Sequence, residues 1–165
     1  DAADPELAAI LTTLQIHGWR ITEVLNIREE HIDWQRSQIE RWVSKSREWR
    51  WAVVDQGVLE LWRALPKRKD GYIFSLRKRH DFYYRVDCLI KTLGLEMKYR
   101  PHNSRRGLAT PLRDLGYGID DIRDAAQWQS SQSAAIYVKD DPERIRPAFE
   151  KVRARIGANP RKVAK

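Results

Sequence analysis

A single β-rich stretch, from His31 to Val54, interrupts a chain whose apolar residues otherwise recur at helical spacing. Within it, β-branched and aromatic residues form short runs on either side of the polar residues 44–48, which is typical of strands joined by a turn. The rest of the sequence does not suggest a parallel sheet. The pattern therefore predicts an α+β, mostly helical fold with one small antiparallel β-sheet.

Local capping signals place helices on both sides of this stretch. Asp4 and Pro5 are typical of a helix start, and leucines and isoleucines then repeat at helical spacing as far as Gly18. A second, short helix is predicted over residues 21–27. Asp55 predicts the start of a helix that runs to Leu65.

The second half of the chain predicts several more short helices. They cover His80–Leu93, a segment from about Asn103, a segment from about Asp120, Ser131–Lys139 and Pro142–Ile156. In the first of them, one face of the helix is shared by Phe82, Val86, Leu89, Ile90 and Leu93. Pro111 falls inside the second, where it removes a backbone hydrogen bond and is expected to kink the helix.

Composition limits the kind of protein this can be. The 165 residues include seven Trp, six Tyr and three Phe, enough large side chains for one folded domain. No apolar run approaches the roughly 20 residues of a membrane-spanning helix, and the N-terminus lacks the features of a signal peptide. A single cysteine, Cys88, excludes an intrachain disulfide and a cysteine-based zinc cluster. We therefore expect a soluble, cytoplasmic protein with no membrane partner.

Charged residues are unevenly distributed along the chain. The formal net charge is +8, but residues 1–60 carry 7 basic and 11 acidic side chains, residues 61–113 carry 14 and 4, and residues 114–165 carry 10 and 8. A surface rich in Arg and Lys attracts polyanions by contacting phosphates and releasing counterions. The middle segment therefore indicates a nucleic-acid partner, the alternative being a charged face that only keeps the protein in solution.

Common enzyme signatures are missing: the sequence has no glycine-rich phosphate loop, no nucleophile-elbow serine and no paired histidines at metal-ligand spacing. His102 and Arg105 lie three residues apart at the start of a predicted helix, so both side chains can reach one point. Trp128 follows 23 residues after Arg105, and Tyr137 follows nine residues after Trp128. The order of all four residues, more than the first pair alone, indicates a functional site.

Three segments resemble motifs of the tyrosine recombinases, the phage integrase family. The first, HGWRITEVLNIREEHIDW, is similar to the motif with the family's first arginine, here Arg20. The second, WVSKSREWRWAVV, is similar to the β-hairpin with the active-site lysine, here Lys45. The third, HNSRRGLATPLRDLGYGIDDIRDAAQWQSSQSAAIYV, holds the histidine, second arginine, tryptophan and tyrosine in the family's order. The resemblance extends from about residue 5 to residue 140 and implies the tyrosine-recombinase catalytic-domain fold.

The resemblance also implies a role for each residue. Tyr137 is the expected nucleophile, His102 the general base and Lys45 the general acid. Arg20 and Arg105 are expected to hold the non-bridging phosphate oxygens. Because side chains would neutralise the charge of the transition state, we expect no metal and no cofactor.

Two positions depart from the family's pattern. Gln127 and Trp128 stand where Gly-His is usual; Trp128 can donate a hydrogen bond to phosphate but cannot transfer a proton, and its alternative is a core aromatic. Arg106 stands where the residue after the second arginine is usually His, which leaves one secondary contact open.

The catalytic assignments have structural alternatives. Arg20 could be a surface arginine that pairs with Glu23, which is itself expected to orient an arginine rather than to act on substrate. Lys45 has the strongest rival, because hairpin turns are commonly basic and Arg47 or Arg50 could contact DNA instead. Further cations are expected to contact the DNA backbone without reading its sequence. This DNA-binding set consists of Arg47, Arg50, Lys67, Arg68, Lys69, Arg77, Lys78, Arg79 and Arg106.

The implied activity is site-specific DNA recombination or integration on double-stranded DNA, with self-association as a dimer or tetramer. Residues 1–157 are expected to form the catalytic domain and residues 158–165 a disordered basic tail, with the family's N-terminal core-binding domain absent. The helix at 142–156 could dock on a neighbouring protomer or pack on its own domain. Alternative functions are a type IB topoisomerase-like or resolvase activity with the same chemistry, a catalytically silent DNA-binding relative, and a partner-binding module.

Overall fold

A computed structural model describes residues 4–43, 46–99, 101–128, 130–136, 149, 151–152 and 154, with only the backbone at 101–103 and 133. Its α-helices are α1 (Pro5–His17), α2 (Ile21–Val24), α3 (Gln56–Ala64), α4 (Arg79–Thr92), α5 (Pro101–Asp114), α6 (Ile119–Ala126) and α7 (Ser131–Ala135). Its strands are β1 (Ile32–Asp33), β2 (Gln38–Val43) and β3 (Glu48–Val53), and a 3₁₀ helix, Glu29–His31, precedes β1. The predicted mostly helical α+β fold is confirmed.

The three strands form one antiparallel sheet in the order β1-β2-β3. Ile39 of β2 pairs with Ile32 on one side and with Ala52 on the other, so the three residues share a face. That face is buried, whereas Trp42 and Trp51 on the opposite face are exposed. The inward face of β2 also carries a charged residue, Arg41, which is 4% exposed.

The capping signals in the sequence mark real helix ends. The Asp4 side chain accepts a hydrogen bond from the Leu7 amide at 3.0 Å, and Gly18 ends α1 in the left-handed conformation with φ 61°. Asp55 caps α3 by accepting from the Val58 amide at 3.2 Å. Both predicted helices are confirmed. Capping residues bond backbone groups within one turn of their own position, so the sequence indicates these helix ends directly.

Other boundaries differ from the prediction. The second helix ends at Val24, and its last predicted turn is irregular. The helix predicted to run to Leu93 ends one residue earlier: α4 ends at Thr92, and Leu93 is 60% exposed. The next helix, α5, starts at Pro101 and runs to Asp114. It contains Pro111, which has no N–H to donate to the Gly107 carbonyl one turn earlier. Residues 137–139 of the helix predicted near Ser131 and most of the predicted 142–156 helix lie outside the described residues.

Among the described residues, two apolar clusters form the core. The larger one joins α1, α2, the sheet, α3 and α4. Its largest fully buried side chains are Phe74, Phe82, Ile10, Leu25, Ile39 and Leu59. The smaller cluster joins α5 and α6 with Trp128 and Ala134. Because α1 contacts both α3 and α5, it connects the two clusters.

The contact between α1 and α5 is close because glycines lie in it. A Cβ at Gly107 of α5 would lie 3.2 Å from Cγ of Gln15, and a Cβ at Gly18 would lie 3.0 Å from Cδ2 of Leu108. These spacings are tighter than ordinary van der Waals contact. The C-terminal end of α1 is therefore held directly against the middle of α5.

The basic segment after α3 is irregular but anchored. The amide of Ile73 donates to the Ile27 carbonyl at 3.0 Å, and the amide of Glu29 donates to the Gly71 carbonyl at 2.9 Å. Further along, Glu6 of α1 accepts from the Leu76 amide at 2.9 Å. None of the helices within the described residues is long and apolar enough to cross a membrane.

His17, the last residue of α1, is a buried titratable group. Its Nε2 accepts a hydrogen bond from the Asp55 amide at 3.3 Å, and its ring stacks on Trp19 with centroids 4.5 Å apart. Burial lowers the pKa of His17 from 6.5 to about 4, with Arg41 adding to the effect and Asp55 opposing it. The folded protein therefore holds His17 neutral near pH 7.

This depressed pKa predicts acid sensitivity of the fold. The stabilising contribution of neutral His17 is complete above pH 6.5 and is lost as the pH falls from 6.5 towards 4, because the unfolded chain takes up the proton first. The total loss is about 3 kcal/mol. Urea unfolding at a series of pH values measures it, and His17→Gln, which keeps an acceptor for the Asp55 amide, flattens the curve over that range. The exposed His80→Gln is the control and leaves the curve unchanged; equal curves for both variants would contradict the prediction.

Candidate functional site

Arg20 stands at the junction between α1 and α2, two residues after Gly18. It is the N-cap residue of α2, and its side chain is about one-third exposed. Its Nη1 donates to Oε1 of Glu23 at 3.0 Å, and its backbone amide donates to Oε2 of the same residue at 3.1 Å. Glu23 thus bonds both the backbone and the guanidinium of Arg20, a contact that fits an orienting carboxylate and a structural ion pair alike.

Glu23 is also the partner of a second arginine. The Glu23 side chain is 3% exposed, and its Oε2 accepts from Nη1 of Arg41 at 2.8 Å. The Arg41 guanidinium lies over the Trp19 ring, 4.6 Å from its centroid. Burial lowers the pKa of Arg41 from its usual value, while the Glu23 carboxylate raises it. One buried carboxylate therefore holds two arginines, one of them partly open to solvent.

The Arg41 guanidinium continues into a third segment. Its Nη2 donates to Oε1 of Gln127 at 2.7 Å, and Nε2 of Gln127 donates to the Trp51 carbonyl at 2.7 Å. Gln127 follows the last residue of α6 in the left-handed conformation, with φ 52°. These bonds connect the turn after α6 to both long strands of the sheet.

Trp128, the next residue, is buried in the smaller core cluster. The guanidinium of Arg105, on α5, lies 5.3 Å from the centroid of the Trp128 ring. A Cβ at Gly18 would lie 3.7 Å from Cζ2 of the same ring. Arg20, Arg105 and Trp128 therefore lie on segments that meet where α1 ends.

Three of the six predicted catalytic residues are placed only in part or not at all. Lys45 and Tyr137 lie outside the described residues. His102 lies in the first turn of α5, one turn before Arg105, and only its backbone is described. Their roles stay predictions.

The nine residues of the DNA-binding set differ in their contacts. Exposed cations are Arg47, Lys67, Lys69, Lys78, Arg79 and Arg106, of which Lys67 also pairs with Glu29. The others have intramolecular partners: Arg50 pairs with Glu48, Arg68 with Asp70, and Arg77 donates to the Leu25 carbonyl at 2.7 Å. Arg77 also lies over the Tyr72 ring.

Two residues of the site were not predicted from the sequence as functional. Arg41 alternates with Ile39 and Val43 on the buried face of β2, so the strand pattern alone indicates an inward charge that needs a partner. Gln127 stands where the resemblance implies glycine, and its backbone adopts the left-handed conformation that glycine adopts at the lowest cost. Within the described part of the chain, no group of three or more His, Cys, Asp or Glu side chains is arranged to hold a metal ion.

Comparison with known proteins gives one family match. A family model described as the phage integrase family matches residues 1–144. No curated protein sequence matches the chain.

Several solved structures share the fold. XerA recombinase is 22% identical with a TM-score of 0.70, over 91% of this chain and 59% of that one. The XerH site-specific recombinase bound to a palindromic difH substrate is 18% identical with a TM-score of 0.70, over 90% of this chain and 47% of that one. The catalytic domain of bacteriophage HP1 integrase is 16% identical with a TM-score of 0.66, over 91% of this chain and 84% of that one. This chain thus spans about half of the two longer proteins.

The shared carboxylate predicts a large and specific loss of stability. Glu23→Gln preserves the size of the side chain but leaves the buried Arg41 charge without a counter-ion, which costs about 3 kcal/mol of unfolding free energy. The matched change at an exposed ion pair, Glu30→Gln beside Arg28, costs less than about 1 kcal/mol. Urea unfolding of both variants makes the comparison, and similar losses would show that the buried pair is not special.

Proposed function

Because the chain belongs to the phage integrase family, we propose that it breaks and rejoins DNA strands in site-specific recombination, with Tyr137 as the nucleophile. The proposal depends on one observation: residues 18–20 (the Arg20 loop), helix α5 with Arg105, and Trp128 meet at the end of α1. Two arginines on separate segments that meet beside one aromatic residue make an arrangement suited to a phosphodiester. The Tn1549 transposon integrase, which shares the fold, is described as in complex with circular intermediate DNA, and double-stranded DNA is the proposed partner here.

The proposed reaction is a transesterification at phosphorus. The phenolic oxygen of Tyr137 attacks the phosphate, its proton passes to His102, and the bond from phosphorus to the 5′ oxygen breaks. The leaving oxygen takes a proton from Lys45 and becomes a free 5′-hydroxyl, while the 3′ phosphate remains bound to the tyrosine. The reverse reaction, with a different 5′-hydroxyl, joins the exchanged strand. Phenol has a pKa near 10, so nearby cations and a base are needed to favour the phenolate.

Arg20 and Arg105 supply the charge that this reaction needs. The pentacoordinate phosphorus carries extra negative charge on its non-bridging oxygens, and a guanidinium can donate two parallel hydrogen bonds to such oxygens. The Glu23 contact leaves part of the Arg20 side chain open to solvent. The backbone of Arg105 lies in α5, and its guanidinium lies beside the Trp128 ring. Both arginines are thus restrained before DNA arrives, which lowers the cost of orienting them.

The exposed cations give DNA a wider surface to bind. Lys69, Lys78 and Arg79 are exposed on or beside the basic segment that is anchored to α1 and to residues 27–29. Such residues contact phosphates and set the position of the duplex, while adding no sequence information. Self-association on DNA belongs to the same proposal.

Covalent trapping tests the nucleophile. The chain is mixed with nicked duplexes whose short 5′-hydroxyl fragment diffuses away after cleavage, so that a protein–DNA adduct accumulates and migrates as a shifted band on a denaturing gel. The band is expected with the unchanged chain and is abolished by Tyr137→Phe, which removes only the attacking oxygen. The matched control is Tyr117→Phe, at an exposed tyrosine between α5 and α6, which keeps the band. An adduct of equal yield from Tyr137→Phe would remove Tyr137 from the mechanism, and salt-sensitive DNA binding without any adduct would favour the binding-only alternative.

Arg105→Lys tests the phosphate clamp. Lysine preserves the charge but loses the planar fork, so the single-turnover rate of adduct formation is expected to fall roughly 100-fold, with DNA affinity changed much less. Arg36→Lys, at an exposed turn between β1 and β2, is the control and keeps the rate. A rate unchanged in Arg105→Lys would mean that charge alone suffices at this position.

A further inference from the structure

The backbone conformation at Gln127 favours glycine, whereas the Gln127 side chain makes two hydrogen bonds that glycine cannot make. The amide of Trp128 donates to the Arg123 carbonyl at 2.9 Å and the amide of Gln127 donates to the Asp124 carbonyl at 3.1 Å, the two bonds of a Schellman turn. That turn needs a left-handed residue, and Gln127 adopts φ 52° although glycine does so at lower cost. Gln127 therefore carries a backbone cost that favourable side-chain contacts can offset.

The side chain of Gln127 satisfies one partner with each end of its amide. Its oxygen accepts from Nη2 of Arg41, and its nitrogen donates to the Trp51 carbonyl. An arginine can only donate and a carbonyl can only accept, so the orientation of the amide is determined by its partners. Asparagine, one methylene shorter, cannot span the same two groups from the same backbone.

The bonds of Gln127 reach the proposed phosphate clamp through two further contacts. Arg41 holds Oε2 of Glu23, and Oε1 of Glu23 holds Nη1 of Arg20. The β2–β3 strands that Gln127 joins flank the predicted general acid in sequence, and the turn it belongs to leads to Trp128. The side-chain amide of Gln127 thus connects the β2–β3 strands, the Arg20 loop and the turn before Trp128. The proposed reaction requires fixed relative positions of these three segments.

We propose that Gln127 and Arg41 are positioning residues that hold the β2–β3 strands, the Arg20 loop and the turn before Trp128 in one geometry. The proposal rests on the proposed function for its catalytic consequence. Gln127 touches none of the reacting atoms in this arrangement; it acts through Arg41, Glu23 and the Trp51 backbone. Its substitution is therefore expected to change the rate of cleavage and not the binding of DNA.

Gln127→Gly is the decisive variant, because glycine keeps the left-handed turn and removes only the side chain. Its single-turnover rate of adduct formation at saturating protein is expected to fall roughly 10- to 100-fold, as for displacements of about 1 Å in an active site. The DNA dissociation constant stays within about twofold, since no phosphate contact is lost. Gln35→Gly, which removes the same side chain from the exposed turn between β1 and β2, is the matched control and leaves the rate unchanged. A wild-type rate for Gln127→Gly, or a fall matched by weaker DNA binding, overturns the proposal. Rates are compared at a temperature at which the variant is fully folded, because the loss of two buried hydrogen bonds is expected to lower its unfolding midpoint.

A double variant tests whether the two residues act as one unit. Arg41→Lys keeps the buried charge but cannot bond Glu23 and Gln127 together, and so slows cleavage by itself. If both residues act through their shared contact, the fall in the Gln127→Gly, Arg41→Lys variant is smaller than the product of the two single effects. A multiplicative fall would mean that they act separately and would overturn the joint role.

Amide hydrogen exchange separates this proposal from the proposed function. Gln127→Gly is expected to speed exchange in strands β2 and β3 and in residues 123–128 together, while Gln35→Gly speeds neither. If the unchanged chain forms no adduct, the proposed function and the catalytic consequence of this proposal both fail. Faster exchange in all of these segments would still support the structural part of the proposal, that Gln127 holds them together. Faster exchange only next to residue 127 overturns that structural part, even where adducts form.

Discussion

The arrangement around the site depends on one buried carboxylate. Glu23 is shared between Arg20, at the edge of the protein, and Arg41, inside it. Removing two charges from water costs several kcal/mol each, so a pair of this kind persists only with good geometry and additional hydrogen bonds. Both carboxylate oxygens are used, and the arginine makes a further bond to Gln127. The position of β2 relative to α2 is therefore restricted by electrostatics as well as by packing.

Aromatic contacts extend this restriction to the end of α1. The Trp19 ring stacks on the His17 ring and also lies under the Arg41 guanidinium. Because His17 is held neutral, no like charge from the imidazole faces Arg41 near neutral pH. Gly18, between the two rings in sequence, brings the same loop against Leu108 of α5 and against Trp128. The backbone of the Arg20 loop is thus held in place by contacts with the sheet and by contacts with α5.

The sequence predicted those features whose causes are local. Asp4, Gly18 and Asp55 act within one turn, so the ends of α1 and the start of α3 could be read from neighbouring residues. Leu93 shows the limit of periodicity, because spacing alone does not reveal that the helix ends one residue earlier. The contacts of Arg41 could not be predicted in the same way: they join positions 18 and 86 residues apart, and only the fold brings such positions together. The motif resemblance identified Arg20, Arg105 and Trp128 as a group, but not the buried polar contacts that bring their segments into register.

The same chemistry links the residue types at positions 41 and 127. With glycine at 127, the buried Nη2 of Arg41 would lose its acceptor and the Trp51 carbonyl its donor, and unsatisfied buried groups are costly. A related chain with glycine in the turn would then be better served by an apolar residue at the inward position of β2, with Glu23 serving Arg20 alone. A chain with arginine on that strand needs an acceptor in the turn and tolerates the left-handed cost of having a side chain there. In this chain, Arg41 and the side chain of Gln127 therefore satisfy each other's hydrogen-bonding groups.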